Sequence, residues 1–368
     1  MDHRAQGAFE YILMLSGVLL IVVLIVFILQ GTVSSANETL GDQSSEISSL
    51  VDATKYTPGA NMEFLQGTTK NGAAAREAVI SAGIVEKDAA LNGLTFSWNA
   101  TNVSIYDSSL VLMMNFDNVA QLGENTATVK GSSIYRNNGT NNGATWVADG
   151  RYGGTYYFDG NDNIAAPINY RLSTTRGPST IEAWIRPNNT AASVTIISDN
   201  CLEWGFTLSG GNVNGYVFTP VSGGPVSPNQ WYHIALVHEH PTGLTNTLIK
   251  IYVNGELKNT ATRTVSSDDA YTDSNFWIGQ DGCYSNPGFN GSIDEVRIWN
   301  RALSSDEVRL HYATNIAKFG PGLWKFDAKV SVPSGQNTYQ ISTISNQLHR
   351  KYTERRTVNS CTLPYPLC

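Results

Sequence analysis

The chain has 368 residues, charged side chains make up only 15% of it, and its formal net charge is −7. That length allows two domains and a tail, and the acidic balance excludes a nucleic-acid partner, which would need basic surface to displace counterions. Low charge with abundant Gly, Asn, Ser, Thr and aromatic residues favours β structure over a helical bundle.

From Tyr11 to Leu29 the chain is apolar, broken only by Ser16 and Gly17. The run of about 19 residues matches the ~20 that a helix needs to cross the hydrocarbon core. A cleavable secretory signal would be shorter and end in an Ala-x-Ala-like site; this run ends in Gln30-Gly31-Thr32. Arg4 precedes it and Glu38, Asp42 and Glu46 follow, which puts the N-terminus in the cytoplasm and the remainder outside. Glu10, at the mouth of the run, asks for a partner. The window Arg4-Ala5-Gln6-Gly7-Ala8-Phe9-Glu10-Tyr11 resembles the class III signal peptide of archaeal type IV pilin-like proteins. The resemblance implies cleavage between Ala5 and Gln6 by a prepilin-type signal peptidase. It also implies pairing of Glu10 with the freed α-amino group of a neighbouring pilin-like subunit. Ala5 stands where that family usually has Gly. Residues 1–5 are then a leader, 6–30 a transmembrane or pilin-type helix, and 31–74 a Ser/Thr-rich stalk.

Beyond the stalk the apolar pattern changes to period two. Ala78 to Val85 and Leu94 to Trp98 read as strands, as do Thr180 to Ile185, Tyr232 to Val237 and Lys250 to Val253. Asn254-Gly255 predicts a type I′ hairpin turn. Many short strands without intervening helices predict an all-β sandwich. Residues 109–314 resemble the laminin-G-like, concanavalin A-like jelly rolls. The resemblance rests on Leu110 to Asp117, Phe158-Asp159-Gly160, Thr180 to Pro187, Trp231 to Val237 and Trp277-Ile278-Gly279. The closing block Phe289 to Tyr312 carries it furthest, with a short helix capped by Ser304 or Ser305. Leu323 to Val330 and Thr338 to Ser342 alternate again. Neither flank could bury a face alone, so 75–108 and 315–358 predict a small Ig-like sandwich into which the jelly roll is inserted. Residues 359–368 form a Cys-containing tail.

Cys201, Cys283, Cys361 and Cys368 form no CxxC motif. Outside the cell disulfides are allowed, and Cys201–Cys283 with Cys361–Cys368 is the simplest of three possible pairings. Asn-x-Ser/Thr sequons occur at Asn37, Asn99, Asn102, Asn138, Asn188 and Asn290. Jelly rolls of the resembled type often hold one calcium, and Asp159, Asp162 and Asp294 are the candidates in the matched motifs. His238-Glu239-His240 lacks a third metal ligand and reads as a polar strand end. A retaining glycosidase would need two carboxyls ~5–5.5 Å apart. Glu182 stands alone in its strand, while neighbours Asp294 and Glu295 should point to opposite faces. Trp204, Tyr216, Phe218, Trp277 and Tyr284 are candidates for stacking on sugar rings. Together these features predict no enzyme but a membrane-anchored or pilus-associated cell-surface protein that binds glycans or proteins in adhesion. The alternatives are a structural envelope protein without sugar affinity and an exported glycoside hydrolase.

Overall fold

The computed structural model describes residues 62–360 apart from 73–76, 87–90, 169–177, 200–203, 218, 240–245, 265–274, 284–286, 332–334 and 345–350. Among the described residues no helix is long and apolar enough to cross a membrane; the leader, the apolar run and Glu10 lie outside them.

The period-two segments become two eight-stranded antiparallel sheets. Sheet I runs in the order Glu256–Thr264, Asn246–Val253, Tyr232–Glu239, Ser179–Pro187, Asn290–Trp299, Thr155–Asp159, Thr145–Val147, and Leu110–Met114 also pairs with Asn290–Trp299. Sheet II runs Pro220–Pro225, Asn212–Val217, Trp204–Ser209, Val194–Ser198, Asn275–Ile278, Asn163–Pro167, Gly139–Asn142, Thr128–Val129. Side chains such as Ile181, Ile185, Leu236 and Ile298 from sheet I meet Phe206, Val213, Phe276 and Ile278 from sheet II in the jelly-roll core. Asn254 and Gly255 have φ of 52° and 76°, the left-handed pair that a type I′ turn requires. A Cβ on Gly255 would lie 3.1 Å from Tyr312 Cβ, so the turn also needs glycine for its close approach to the helix Ser305–Ala313, here α1.

The flanking segments pair with each other across the jelly roll. Glu77–Glu86 pairs with Met62–Gly72 and Leu323–Ser331, and Leu323–Ser331 with Thr314–Gly320. Gly93–Trp98 joins Thr101–Tyr106 to Gly335–Ile344, which pairs with Lys351–Ser360. The stretch expected to be stalk to residue 74 therefore already contains a strand at Met62–Gly72.

A second core explains why sheet I is buried on both faces. Ala235, Val237, Tyr252 and Trp299 of sheet I pack with Val308 and Leu310 of α1 and with Ile84, Phe96, Tyr106, Trp324 and Phe326 of the flanking strands. Ser304 caps α1, its Oγ accepting from Glu307 N–H at 3.2 Å while Glu307 Oε2 accepts from Ser304 N–H at 2.8 Å. Such a reciprocal cap stabilises a helix end by about 1 kcal/mol. The alternation in Thr180 to Ile185 thus marks two buried faces rather than one solvated face.

Candidate functional site

The flanking strands cover one face of sheet I, which leaves the outer face of sheet II as the jelly roll's surface for a ligand. Phe276, Ile278, Val213, Val217, Phe206 and Leu208 point into the core, so their strand neighbours point outward. Cross-strand registry lines those neighbours up. Thr140 faces Ala165, Ala165 faces Trp277, Trp277 faces Ser198, Ser198 faces Gly205, and Gly205 faces Tyr216. Trp277 and Tyr216 are both half-buried, and the positions between them carry only Ser198 and Gly205. With strands ~4.8 Å apart, three steps put the aromatic Cα atoms about 14 Å from each other. Gly205 is required there, because a Cβ would lie 2.1 Å from the Ile197 carbonyl oxygen. The row therefore sets an aromatic ring at each side of two small, buried positions, Ser198 and Gly205.

Its borders are amides and hydroxyls. Asn142 faces Asn163 and donates to its Oδ1 at 2.8 Å, and Thr207 faces Asn214. The strands from Gly139–Asn142 to Pro220–Pro225 contain no Asp, Glu, Lys or Arg. Rings, amides and hydroxyls without charge suit a ligand that offers apolar faces edged with hydroxyls. Of the other aromatic candidates, Trp204 is in the core, edge-on to Phe276 at 5.3 Å, and Phe218 and Tyr284 lie outside the described residues.

The charged residues collect instead in the second core. Glu182 Oε2 accepts from Trp299 Nε1 at 2.9 Å and lies 2.9 Å from His311 Nδ1, while His311 Nε2 lies 2.7 Å from the Ser104 carbonyl. Both ring nitrogens of His311 therefore face oxygens, one on Glu182 and one on the Ser104 backbone. Burial alone would raise the Glu182 carboxyl, but His311 holds it at about 2. His233, 3.7 Å from Glu182 Oε1, is pushed down to about 4 by burial.

A β-bulge changes the acid geometry expected from sequence. Glu182 faces Arg297 and Trp184 faces Asp294, so Ala183 spans both Glu295 and Val296, and Glu295 takes φ 50°. Asp294 and Glu295 consequently share the face toward the second core instead of pointing apart. Asp294 Oδ2 accepts from the Arg151 and Tyr152 N–H groups at 2.8 and 3.1 Å, and Asp117 Oδ1 from Gly154 N–H at 3.0 Å. Glu295 Oε2 accepts from Arg297 and Asn115, each at 2.9 Å. Burial, then the Glu295 charge, pushes the Asp117 carboxyl up to about 8, and the same two causes raise Asp294.

The three calcium candidates do not meet. Asp159 and Asp162 share one turn, where Asp162 Oδ2 accepts from Asp159 N–H at 3.0 Å and Asp159 Oδ1 from Asn161 N–H at 2.8 Å. Asp294 lies four positions along its strand from Asn290, the residue paired with Asp159, or about 13 Å away. Among the described residues no three His, Cys, Asp or Glu side chains converge on one point, short of the six or more oxygens that calcium takes. Cys283 is disulfide-bonded; Cys201, Cys361 and Cys368 lie outside the described residues. Asn99, Asn102, Asn138 and Asn188 are exposed and Asn290 half-buried, while Asn37 is not described. Asn188 donates to Tyr157 Oη and to Asn290 Oδ1, both at 3.0 Å. Glu239 pairs with Lys250 at 2.5 Å and His238 is buried, so this strand end is structural as far as it is described.

Residues 158–309 match the model of the concanavalin A-like lectin/glucanase superfamily, Laminin_G_3. The domain is a concanavalin A-like jelly roll. Over 93 residues the chain is 34% identical to the human adhesion G-protein coupled receptor D1, covering 24% of this chain and 10% of the receptor. Domain 4 of AbnA, a GH43 extracellular arabinanase from Geobacillus stearothermophilus, aligns over 55% of this chain and 97% of its own, at 19% identity and a TM-score of 0.41. The sialidase of Trypanosoma rangeli aligns over 56% of this chain and 33% of its own, at 17% identity and a TM-score of 0.43. Structural likeness at this level shows the fold alone. The expectation that the chain is no enzyme is corrected by the acid geometry: it rested on Asp294 and Glu295 pointing apart, and the bulge brings them to one face.

Proposed function

We propose that this chain is a cell-surface binding protein whose lectin-like jelly roll recognises uncharged saccharides on the outer face of sheet II. The observation that carries the proposal is the row Trp277–Ser198–Gly205–Tyr216, with its two aromatic rings and uncharged amide borders. Sugar rings present C–H faces that pack on indole and phenol rings, and hydroxyls that pair with Asn and Thr. The stretch shared with an adhesion receptor supports an adhesive role. Full-length protein applied to a glycan array should select neutral oligosaccharides. Retention of none of them would favour a structural envelope role.

Anchoring belongs to the same proposal and rests on the sequence between Arg4 and Leu29. A prepilin-type peptidase would leave Gln6 as the first residue, and the apolar segment would hold the chain in the membrane or among pilin-like subunits with the β domains outside. Mass spectrometry of native protein should find a chain that lacks Met1–Ala5 and keeps the apolar run. A mature start beyond Leu29 would remove the anchor.

A further inference from the structure

A second concavity, of about 380 Å³, opens between the segment from Gln121 to Asn138 and the turn that joins Thr314–Gly320 to Leu323–Ser331. Lys130, Arg136 and Lys318 line it with Ser132, Ser133 and Asn138, and no Asp or Glu does. Gathering three cations in one cleft runs against a chain of net charge −7. Like charges in a partly dewatered cleft repel each other, and an entering anion relieves that repulsion.

The local structure holds these groups in place. Arg136 sits at φ 52°, a region an arginine rarely adopts, with its N–H donating to the Ser133 carbonyl at 3.1 Å. Its side chain is exposed, and its guanidinium has no hydrogen bond or ion pair among the described residues. Lys318 is partly buried with Nζ 5.3 Å from the Trp324 ring centre, and burial, then the Arg136 charge, lowers its ammonium below the usual lysine range. A Cβ on Gly131 would lie 2.1 Å from the Asn137 carbonyl oxygen, so the loop closes only with glycine there. Gly131 N–H donates to Asn138 Oδ1 at 3.2 Å, which leaves the Asn138 NH₂ group able to donate to a ligand. The nearby acid, Glu124, uses its carboxylate on the backbone N–H groups of Val119 and Lys130 and also feels the Lys130 charge, which leaves Arg136 and Lys318 as the cleft's main cations.

We infer that this cleft binds one anionic group carried on a sugar, a carboxylate or a sulfate ester, with Arg136 and Lys318 supplying the charge and Asn138 a neutral donor. The cleft shares no residue with the sheet II row, so either site can fail without the other. A single acidic sugar residue suits the volume, and recognition there would add acidic glycans to the neutral ones held on sheet II.

The test is calorimetric titration of full-length protein, unglycosylated at Asn138, with glucuronate, glucose 6-sulfate, inorganic sulfate and glucose. Glucuronate or glucose 6-sulfate should bind saturably, and whichever binds tighter identifies the carboxylate or the sulfate ester as the natural group. Binding should weaken as ionic strength rises from about 0.05 to 0.5 M. Arg136→Gln should weaken it about tenfold while leaving neutral-glycan binding on sheet II unchanged. Lys318→Gln should do the same, but Lys318 also packs on Trp324, so the exposed Arg136 is the decisive position and Lys130→Gln a second check. Three results would overturn the inference: no anion binds, Arg136→Gln binds as well as wild type, or inorganic sulfate binds as tightly as either sugar.

Discussion

Replacing His311 or Glu182 by alanine is expected to destabilise the folded chain by about 3–5 kcal/mol, the cost of stranding one partner of a buried ion pair. The pair is inaccessible, with side-chain exposures of 0% and 2%. It also joins three layers: Glu182 and Trp299 belong to sheet I, His311 to α1, and Ser104 to a flanking strand. Removing the imidazole leaves the Glu182 carboxylate with one donor, the Trp299 indole, because Glu182 Oε1 has no hydrogen-bond partner. Removing the carboxylate leaves the buried imidazole with only the Ser104 carbonyl as a polar partner. Replacing both by leucine should recover much of the loss, since apolar residues of similar volume often substitute for a buried pair at little cost. Urea unfolding of the full chain measures each value. Losses below about 1 kcal/mol for either single variant would mean the pair contributes no more than a surface ion pair does.

Stability should fall as pH rises from about 6.5 to 8.5, and Asp117 should be the main cause. Its carboxyl titrates near 8 in the folded chain and at 3.8 when free, so the folded state holds a proton that the unfolded state has lost. A group raised in this way stabilises below its unfolded pKa, and the contribution disappears as pH climbs through its folded value. Glu295 and Asp294 are raised too and act in the same direction. His233 is lowered to about 4 and opposes them between about 4 and 6.5; above that range it no longer titrates in either state. Over the 1.5 units from 6.5 to 8, Asp117 alone accounts for about 2 kcal/mol. Asp117→Asn keeps an oxygen for Gly154 N–H and should flatten most of this slope in melting temperatures taken across the range. An unchanged slope would place the titrating group elsewhere.

Signals that depend on neighbours along the chain are legible in the sequence. Asn254-Gly255, the Ser304–Glu307 cap and the strands of the jelly roll all require only short-range chemistry. The buried outer face of sheet I was not legible, because the residues that cover it come from both ends of the chain. Glu182, read as a lone acid, has its partner 129 positions away in α1. The Asp294–Glu295 geometry is hidden for a different reason: alternation holds only in a regular strand, and nothing in the sequence marks a glutamate that adopts φ 50°. Tyr216 and Trp277 could be named as aromatics, but their shared row depends on pairings through Ser198 and Gly205 that no local pattern encodes. The basic cleft is invisible in the sequence because Lys130, Arg136 and Lys318 are scattered along it and meet only at the junction of two sandwiches.

The binding role of sheet II is tested most directly by calorimetric titration of a neutral oligosaccharide, selected on the array, into full-length wild type and Trp277→Ala. Trp277 faces away from the core but is mostly covered, its indole nitrogen included, so its removal should lower the melting temperature and affinity is compared at a temperature where both proteins are folded. Loss of a stacking platform at the centre of a contact should weaken binding about tenfold or more, ~1.4 kcal/mol. Tyr216→Ala should have an effect of the same sign. Equal affinity for wild type and both variants would contradict the assignment of this face as the binding surface.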